Sequence, residues 1–288
     1  MNLKFKVAKA MSILPDKAYL SLIYVIRMKK MINWRSPKSF SEKLQWIKVY
    51  DHNPLYVQLV DKYEMKEYVE KVIGSGHTVP TLGVWDSVDD IDFTKLPDRF
   101  VIKGTHDSGS VIVCKDRNTF DEKIARNKLQ DSLDTNLYYL SREWPYKHVP
   151  HRIIAEEYIE SKDKSPLTEY KLFCFDGEVK IVLVCKGLAH TTQRTNDFCD
   201  VNLKRYPFTS LLPNSEGKLT KPDNYDELLR YASELSKGFP EVRVDAYVFD
   251  GKIYFGELTF FHNSGLRRYE PDEWDYKIGE WVKLPEKK

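Results

Sequence analysis

The sequence predicts an α+β fold in which a basic, helical N-terminal segment precedes two mixed subdomains. Three observations predict it. Up to about residue 75 the texture is helical; beyond it, short β-rich runs bounded by turn residues mix with helices; and Asp176-Gly177 and Asp250-Gly251 mark antiparallel hairpins. Hairpins beside helices argue against a doubly wound parallel sheet. The expected division is residues 1–75, 76–160 and 161–288.

The elements follow in order. Ser39-Phe-Ser-Glu42 has the form of a capping box, so a helix starts there with Leu44, Trp46 and Ile47 on its apolar side. Asp61 to Val72 reads as the next helix, with Tyr63, Met65, Tyr68, Val69 and Val72 apolar and Gly74 or Gly76 as its stop. Thr78–Val84, Phe100–Lys103 and Ser108–Cys114 read as strands, and Thr119-x-x-Glu122 as a second capping box opening a helix to about Leu133. Arg152–Ile159 is a strand, Tyr170–Phe175 and Val179–Cys185 pair through Asp176-Gly177, and Pro222–Lys237 is a helix that Gly238 ends.

A chain of 288 residues builds a core without disulfide or metal staples, and 42% hydrophobic with 31% charged residues excludes a disordered or fibrous protein. No apolar run approaches the roughly 20 residues that span a bilayer. Pro15, Asp16 and Lys17 interrupt the apolar patch near the start and no small-residue cleavage site follows, so no signal peptide is expected. Cys114, Cys174, Cys185 and Cys199 are scattered, without a C-x-x-C pair or a histidine at zinc spacing, which suits reduced thiols in a cytoplasmic protein. The net charge of +2 conceals an asymmetry: residues 1–48 carry 11 Lys/Arg against 2 Asp/Glu, the rest 34 against 41. A basic segment beside an acidic body is attracted to a membrane surface, a phosphate-bearing substrate or the body itself, or is a solvated helical face. No nucleic-acid-binding motif appears.

The richest chemistry lies in Val242–Thr259. A two-residue turn would put Asp245 and Glu257 on opposite faces. A three-residue loop, with Gly251 left-handed, puts Arg243, Asp245, Phe255, Glu257 and Thr259 on one face, and Val242, Val244, Ala246, Val248, Tyr254 and Leu258 on a core face. The three-residue loop is therefore expected. Two carboxylates this close repel unless a cation holds them, and Mg²⁺ takes one or two carboxylates plus substrate phosphates; a solvated face with an Arg–carboxylate pair is the plain alternative. Lys103 closes an apolar strand, where it needs an anion to offset desolvation. The following Gly104-Thr-His-Asp-Ser-Gly-Ser110 offers small residues whose N–H groups can approach phosphate, although it lacks the G-K-[ST] ending of a Walker A loop. Glu156-Glu-Tyr-Ile159 is a strand end able to present backbone groups to a purine ring.

This order of features resembles the ATP-grasp ligases, and more narrowly the ATP-grasp family named for teichuronopeptide biosynthesis. Matching blocks across residues 35–284 include SPKSFSEKLQWIKVYD, LVDKYEMKEYV, FVIKGTHDSGSVIVCKD, REWPYK, RIIAEEYI, FPEVRVDAYVFDGKIYFGELTF and EWDYKIGE. The resemblance implies ATP and Mg²⁺ clamped between two α+β subdomains. Lys103, with Lys62 or Lys66, would contact phosphates, and Thr105, Ser108, Gly109 and Ser110 would fold over them. Glu156, Glu157, Tyr158 and Ile159 would hold adenine, with Glu169 and Lys171 toward the ribose and phosphates. Asp245, Glu257 and Thr259 would bind the metal, Thr259 standing where Asn is commoner. Arg243 would stabilise an acyl phosphate or tetrahedral intermediate, with His106, Asn263, Ser264, Gly265 and Arg267 on the substrate side. The implied reaction is ATP-dependent carboxylate–amine ligation, the carboxylate a uronic acid of a bacterial surface polysaccharide and the amine an amino acid. The basic segment would then meet the inner membrane face. Two other readings stand beside it: a glycosyltransferase using Asp90-Ile-Asp92 as a D-x-D metal site for a nucleotide sugar, and an ATP-binding pseudoenzyme or glycan-binding partner.

Overall fold

The computed structural model describes residues 3–164, 166–187 and 194–287. The helical opening comprises α1 (Leu3–Ala10), α2 (Asp16–Met28), α3 (Phe40–Tyr50), α4 (Leu55–Val60) and α5 (Glu64–Ile73). Next come β1 (Thr81–Trp85), β2 (Phe100–Gly104), β3 (Ile112–Cys114), α6 (Glu122–Leu133), α7 (Tyr138–Ser141) and β4 (Ile153–Glu157). The remainder is β5 (Thr168–Phe175), β6 (Glu178–Lys186), β7 (Thr195–Cys199), α8 (Tyr225–Leu235), β8 (Val242–Phe249), β9 (Lys252–Thr259) and α9 (Glu273–Trp281). Two antiparallel sheets result, ordered β1-β4-β2-β3 and β7-β6-β5-β8-β9. The α+β expectation holds.

Each sheet has its own core. The smaller gathers Phe93, Phe100, Ile102, Leu129 and Ile153 between its sheet and α6. The larger combines the five-stranded sheet with α3, α4, α5, α8 and α9, so the helices of residues 40–73 pack as part of that body. The Ser39 box forms as expected: Ser39 Oγ accepts from Glu42 N, and Glu42 Oε2 accepts from Ser39 N. It docks α3 onto α9, where Asp275 accepts from Ser41 N at 2.9 Å and Lys43 Nζ donates to the Gly279 and Val282 carbonyls at 2.8 Å. Gly279 permits this approach, since a Cβ there would come within 2.2 Å of the Lys38 carbonyl.

Several local expectations are corrected. The helix expected from Asp61 starts at Glu64, because Asp61 Oδ1 accepts from Tyr63 N and Glu64 N, an arrangement that terminates one helix and caps the next; Gly74 ends it. The strand expected over Thr78–Val84 begins at Thr81, and that over Ser108–Cys114 only at Ile112, because Asp107 and Ser110 spend their side chains on the preceding loop. Asp121, not Thr119, caps α6, accepting from Ile124 N at 2.9 Å while Thr119 Oγ1 donates to the Asp116 carbonyl. The helix expected over Pro222–Lys237 covers Tyr225–Leu235.

The β8–β9 hairpin is the most informative correction. Its turn has two residues, Asp250 (φ 49°) and Gly251 (φ 71°), with Phe249 opposite Lys252. Parity is restored by a bulge at Gly256: Ala246 faces Phe255, but Asp245 faces Glu257. Arg243, Asp245, Glu257 and Thr259 therefore share a face as expected, whereas Phe255 turns into the core at 1% exposure and Tyr254 pairs with Tyr247 on the other side.

Among the described residues no helix is long and apolar enough to cross a membrane. All four cysteines are buried and free. Glu241 is buried at 2% exposure and neither of its oxygens has a partner. Burial drives its carboxyl well above the usual range, against the pull of Arg243. A raised folded-state pKa stabilises fully below the unfolded value and loses that stabilisation as pH rises, by about 1.4 kcal/mol per pH unit between the two values. Glu241→Gln should accordingly melt above the wild type at pH 8, and the gap should close toward pH 4 in melting curves collected across that range.

Candidate active site

The two sheets face each other across a cleft of about 200 Å³ lined by Lys62, Lys103, the Gly104–Ser110 turn, Glu169, Asp245, Tyr247, Gly256 and Glu257. The floor is the face of the five-stranded sheet that the bulge sets. Antiparallel register stacks it in rows: Glu169 beside Tyr247, then Lys171 beside Asp245 beside Glu257, then Phe173 beside Arg243 beside Thr259. Asp245 is 4% exposed and fully compensated. Arg243 grips it with Nε at 2.6 Å and Nη2 at 2.7 Å, and Lys171 Nζ lies at 2.5 Å. Burial works to raise this carboxyl, but the two cations outweigh it and hold it below the usual range. Lys171 also binds Glu169 at 2.7 Å, which lies 3.4 Å from Arg194. Glu257 is looser, 3.7 Å from Lys62 and 3.8 Å from Arg243, and its side chain is 30% exposed toward the cleft.

The opposite wall is the turn after β2, held from behind by its own side chains. Gly104 N donates to Ser110 Oγ, which donates to Asp107 Oδ1, and Ser132 Oγ donates to Asp107 Oδ2 at 2.7 Å. Thr105 Oγ1 donates to buried Asp61, and His106 stacks on His151 at 4.0 Å with Nε2 against the Ser132 carbonyl. Thr105 and His106 thus face away from the cleft, and the exposed tip is Ser108-Gly109, Gly109 at φ 107°. Lys62 joins the two walls: its Nζ donates to the Asp107 carbonyl and reaches toward Glu257.

Lys66 and Lys103 converge on Glu156, at 2.6 and 2.5 Å. Burial would raise the Glu156 carboxyl, yet the two ammonium groups keep it lowered. Lys66 further donates to the Val79 carbonyl and does not line the cleft. Glu157 donates its N–H to the Pro80 carbonyl, Tyr158 lies under Arg99 at 4.3 Å, and neither these nor Ile159 line the cleft. Asp90 and Asp92 lie at two short 3₁₀ turns away from it, Asp92 accepting from Thr94 N and pairing with Lys95.

The turn His262–Gly265 lies behind Arg243 and does not line the cleft. Asn263 (φ 48°), Ser264 (φ 56°) and Gly265 (φ 61°) are successively left-handed, an uncommon run for non-glycine residues. Gln45 Nε2 and Lys48 Nζ each donate to the Ser264 carbonyl at 2.8 Å, Gln45 also binds the Gly265 carbonyl, and Ser264 Oγ donates to Glu143. Desolvation lowers Lys48 to about 8 and raises Glu143. His262 lies edge-on to Phe173 with Arg243 at Nδ1 and Arg267 at Nε2, so burial and both guanidiniums keep it neutral. Arg267 is held by Ser210 rather than by a carboxylate. Tyr146 sits in the field of Glu143, Glu257 and Arg243, and burial first, then the carboxylates, pushes its phenol well above the usual value.

Sequence reasoning missed Gln45, Lys48, Asp61, Glu143, Tyr146 and Tyr247. Tyr247 was open to the parity argument, being two residues beyond Asp245. Lys48 carries no local signal, because its partner Ser264 lies 216 residues away.

The family model for the TupA-like ATP-grasp proteins matches residues 42–283. The chain belongs to that family. No curated protein matches it. Solved structures with a similar fold include an L-amino acid ligase from Bacillus licheniformis, at 15% identity, covering 78% of this chain and 50% of that one with a TM-score of 0.47. D-alanine–D-alanine ligase from Helicobacter pylori is 14% identical, covering 86% and 70% with a TM-score of 0.42, and D-cycloserine synthetase DcsG is 16% identical, covering 85% and 78% at 0.44. The chain spans 57% of D-alanine–D-alanine ligase from Bacillus anthracis and half of the L-amino acid ligase.

Within this ATP-grasp chain the left-handed turn gives a direct test. A Cβ on Gly265 would lie 2.5 Å from Gln45 Nε2 and 2.8 Å from Leu44 Cβ, at a φ that side chains resist. Gly265→Ala should destabilise by about 2–4 kcal/mol in urea titrations; an unchanged midpoint would show that the turn rearranges freely.

Proposed function

We propose that this protein is an ATP- and Mg²⁺-dependent carboxylate–amine ligase working through an acyl phosphate, joining an amino acid to a uronic-acid carboxylate during synthesis of a bacterial surface glycan. The observation that carries the reading is the cleft itself: two cross-strand carboxylates, Asp245 and Glu257, facing Lys62, Lys103 and a small-residue turn. Family membership supports the ligase class, and its name motivates the glycan.

The residues fit the implied cofactor. Among the described residues no three His, Cys, Asp or Glu side chains gather as an all-protein metal site, which suits an ion whose remaining ligands are phosphate oxygens and water. Asp245 and Glu257 would hold the cation, with Thr259 Oγ1, 3.0 Å from Arg243 Nη2, beside them. When bound, ATP and Mg²⁺ supply a phosphoryl group that makes a carboxylate a mixed anhydride, which an amine opens to an amide with release of phosphate. Lys62 and Lys103 neutralise phosphate charge, and the Ser108-Gly109 backbone offers N–H donors to it. Arg243, permanently charged, stabilises negative charge developing on the acyl oxygen.

A non-hydrolysable ATP analogue with Mg²⁺, at about 100 times its Kd, should stabilise the protein by about 2.7 kcal/mol. Glu257→Gln and Lys103→Met should each reduce that shift, and ADP should appear only when a uronate and an amino acid are supplied together. Stabilisation by UDP-sugars alone would overturn the proposal in favour of glycosyl transfer. Analogue binding without ADP release from any acceptor mixture would favour a pseudoenzyme.

A further inference from the structure

We infer that the outer face of α2 is a seat for an anionic bilayer surface. Among the described residues, six of the fourteen exposed large apolar side chains lie within residues 7–31, so exposed apolar surface is concentrated here rather than scattered. Tyr19, Leu20, Tyr24 and Met28 bury one face of α2 in the protein. Leu22, Val25 and Ile26, at helical i, i+3 and i+4 spacing, project on the other at 44%, 43% and 51% exposure. Ile13 and Met31, each 84% exposed, extend the apolar surface beyond the two ends of the helix. A helix of 13 residues is roughly 20 Å long, too short to cross a bilayer and of a length to lie along one.

The charge carried by residues 3–31 is one-sided. Lys6, Lys9, Arg27 and Lys29 are exposed. Arg268 joins them at the C-terminal end of α2, its Nη2 donating to the Arg27 carbonyl. Asp16, the one acidic residue between positions 3 and 31, is already engaged by Arg142 at 3.3 Å and by the Tyr138 hydroxyl at 2.7 Å. Three lysines are engaged within the protein, Lys30 on Asp272, Lys17 over the Trp34 and Tyr50 rings and Lys9 over the Tyr139 ring, which leaves Lys6, Arg27 and Lys29. An aliphatic stripe on a segment with exposed cations matches acyl chains beneath anionic headgroups, since neither contact demands a fixed partner geometry. A second copy of this chain suits the face poorly, because a two-fold contact would oppose the same cations to one another.

The test is co-sedimentation of the full chain with phosphatidylcholine vesicles and with phosphatidylcholine–phosphatidylglycerol vesicles, at low and high salt. The protein should pellet with the anionic vesicles, remain in solution with the neutral ones, and be released by salt. The triple variant Leu22→Ser, Val25→Ser, Ile26→Ser and the double variant Lys6→Glu, Lys29→Glu should each bind the anionic vesicles about tenfold more weakly or worse. Both should melt with the wild type, since every altered side chain is solvent-exposed. The inference fails if the wild type ignores anionic vesicles, if it binds neutral vesicles equally, or if the variants bind like the wild type. It also fails if sedimentation velocity finds a wild-type dimer that the triple variant abolishes, which would give the face to a second copy.

Discussion

Asp245 cannot be buried as an ion without cations at both of its oxygens, and meeting that requirement shapes the cleft. Removing one partner of such a buried pair typically costs 3–5 kcal/mol, because the remaining charge is left desolvated. The fork of Arg243 and the ammonium of Lys171 meet the demand, and each then recruits a further carboxylate. The outcome is an alternating chain along one sheet face, Arg194, Glu169, Lys171, Asp245, Arg243 and Glu257, that ends across the cleft on Lys62. A face so nearly neutral does not hold a polyphosphate by excess positive charge. The additional cations have to arrive with the phosphates, which gives Glu257, the most exposed and most loosely paired carboxylate of the row, its natural part in cation binding.

A second buried acid sets the opposite wall at the correct distance. Asp61 is 0% exposed and serves three elements at once: it starts α5, accepts from Thr105 in the turn after β2, and binds Arg152 ahead of β4 at 3.0 Å. The Lys62 amide donates to the Thr105 carbonyl, so this lysine is fixed to the turn by its backbone while its side chain reaches Glu257. The two sheets are thus registered through one residue pair in the helical segment.

What was legible in the sequence was whatever depends on neighbours in the chain. The Ser39 capping box, the Asp-Gly turns and the common face of Asp245 and Glu257 all follow from short-range rules, and all are present. The route to that common face was misread, because a two-residue turn with a bulge at Gly256 and a three-residue loop produce the same parity at Glu257 and differ between turn and bulge, at Ile253, Tyr254 and Phe255. Thr119 and Asp121 both precede α6, and only geometry decides which reaches the free N–H groups. Lys62 and Lys66 looked equivalent as the second phosphate lysine, but Lys66 joins Lys103 on Glu156, a convergence that depends on strand pairing between β2 and β4. Glu143 and Lys48 were unreadable, since nothing near either residue signals the turn it supports.

The inner turn shows how the helical segment enters the chemistry without lining the cleft. Three consecutive left-handed residues cost free energy that the turn alone has no means to offset. Gln45 and Lys48 supply the compensation by converging on two carbonyls that no strand or helix satisfies. They are placed to do so by the clamp of α3 onto α9 at Ser41 and Lys43, Ser41 lying on the same helix face as Gln45 and Lys48. The conformation of Ser264 is therefore held from outside the sheet that carries the carboxylates. Since His262 leads into this turn and touches Arg243, the position of the guanidinium that grips Asp245 is coupled to a helix packed more than one element away.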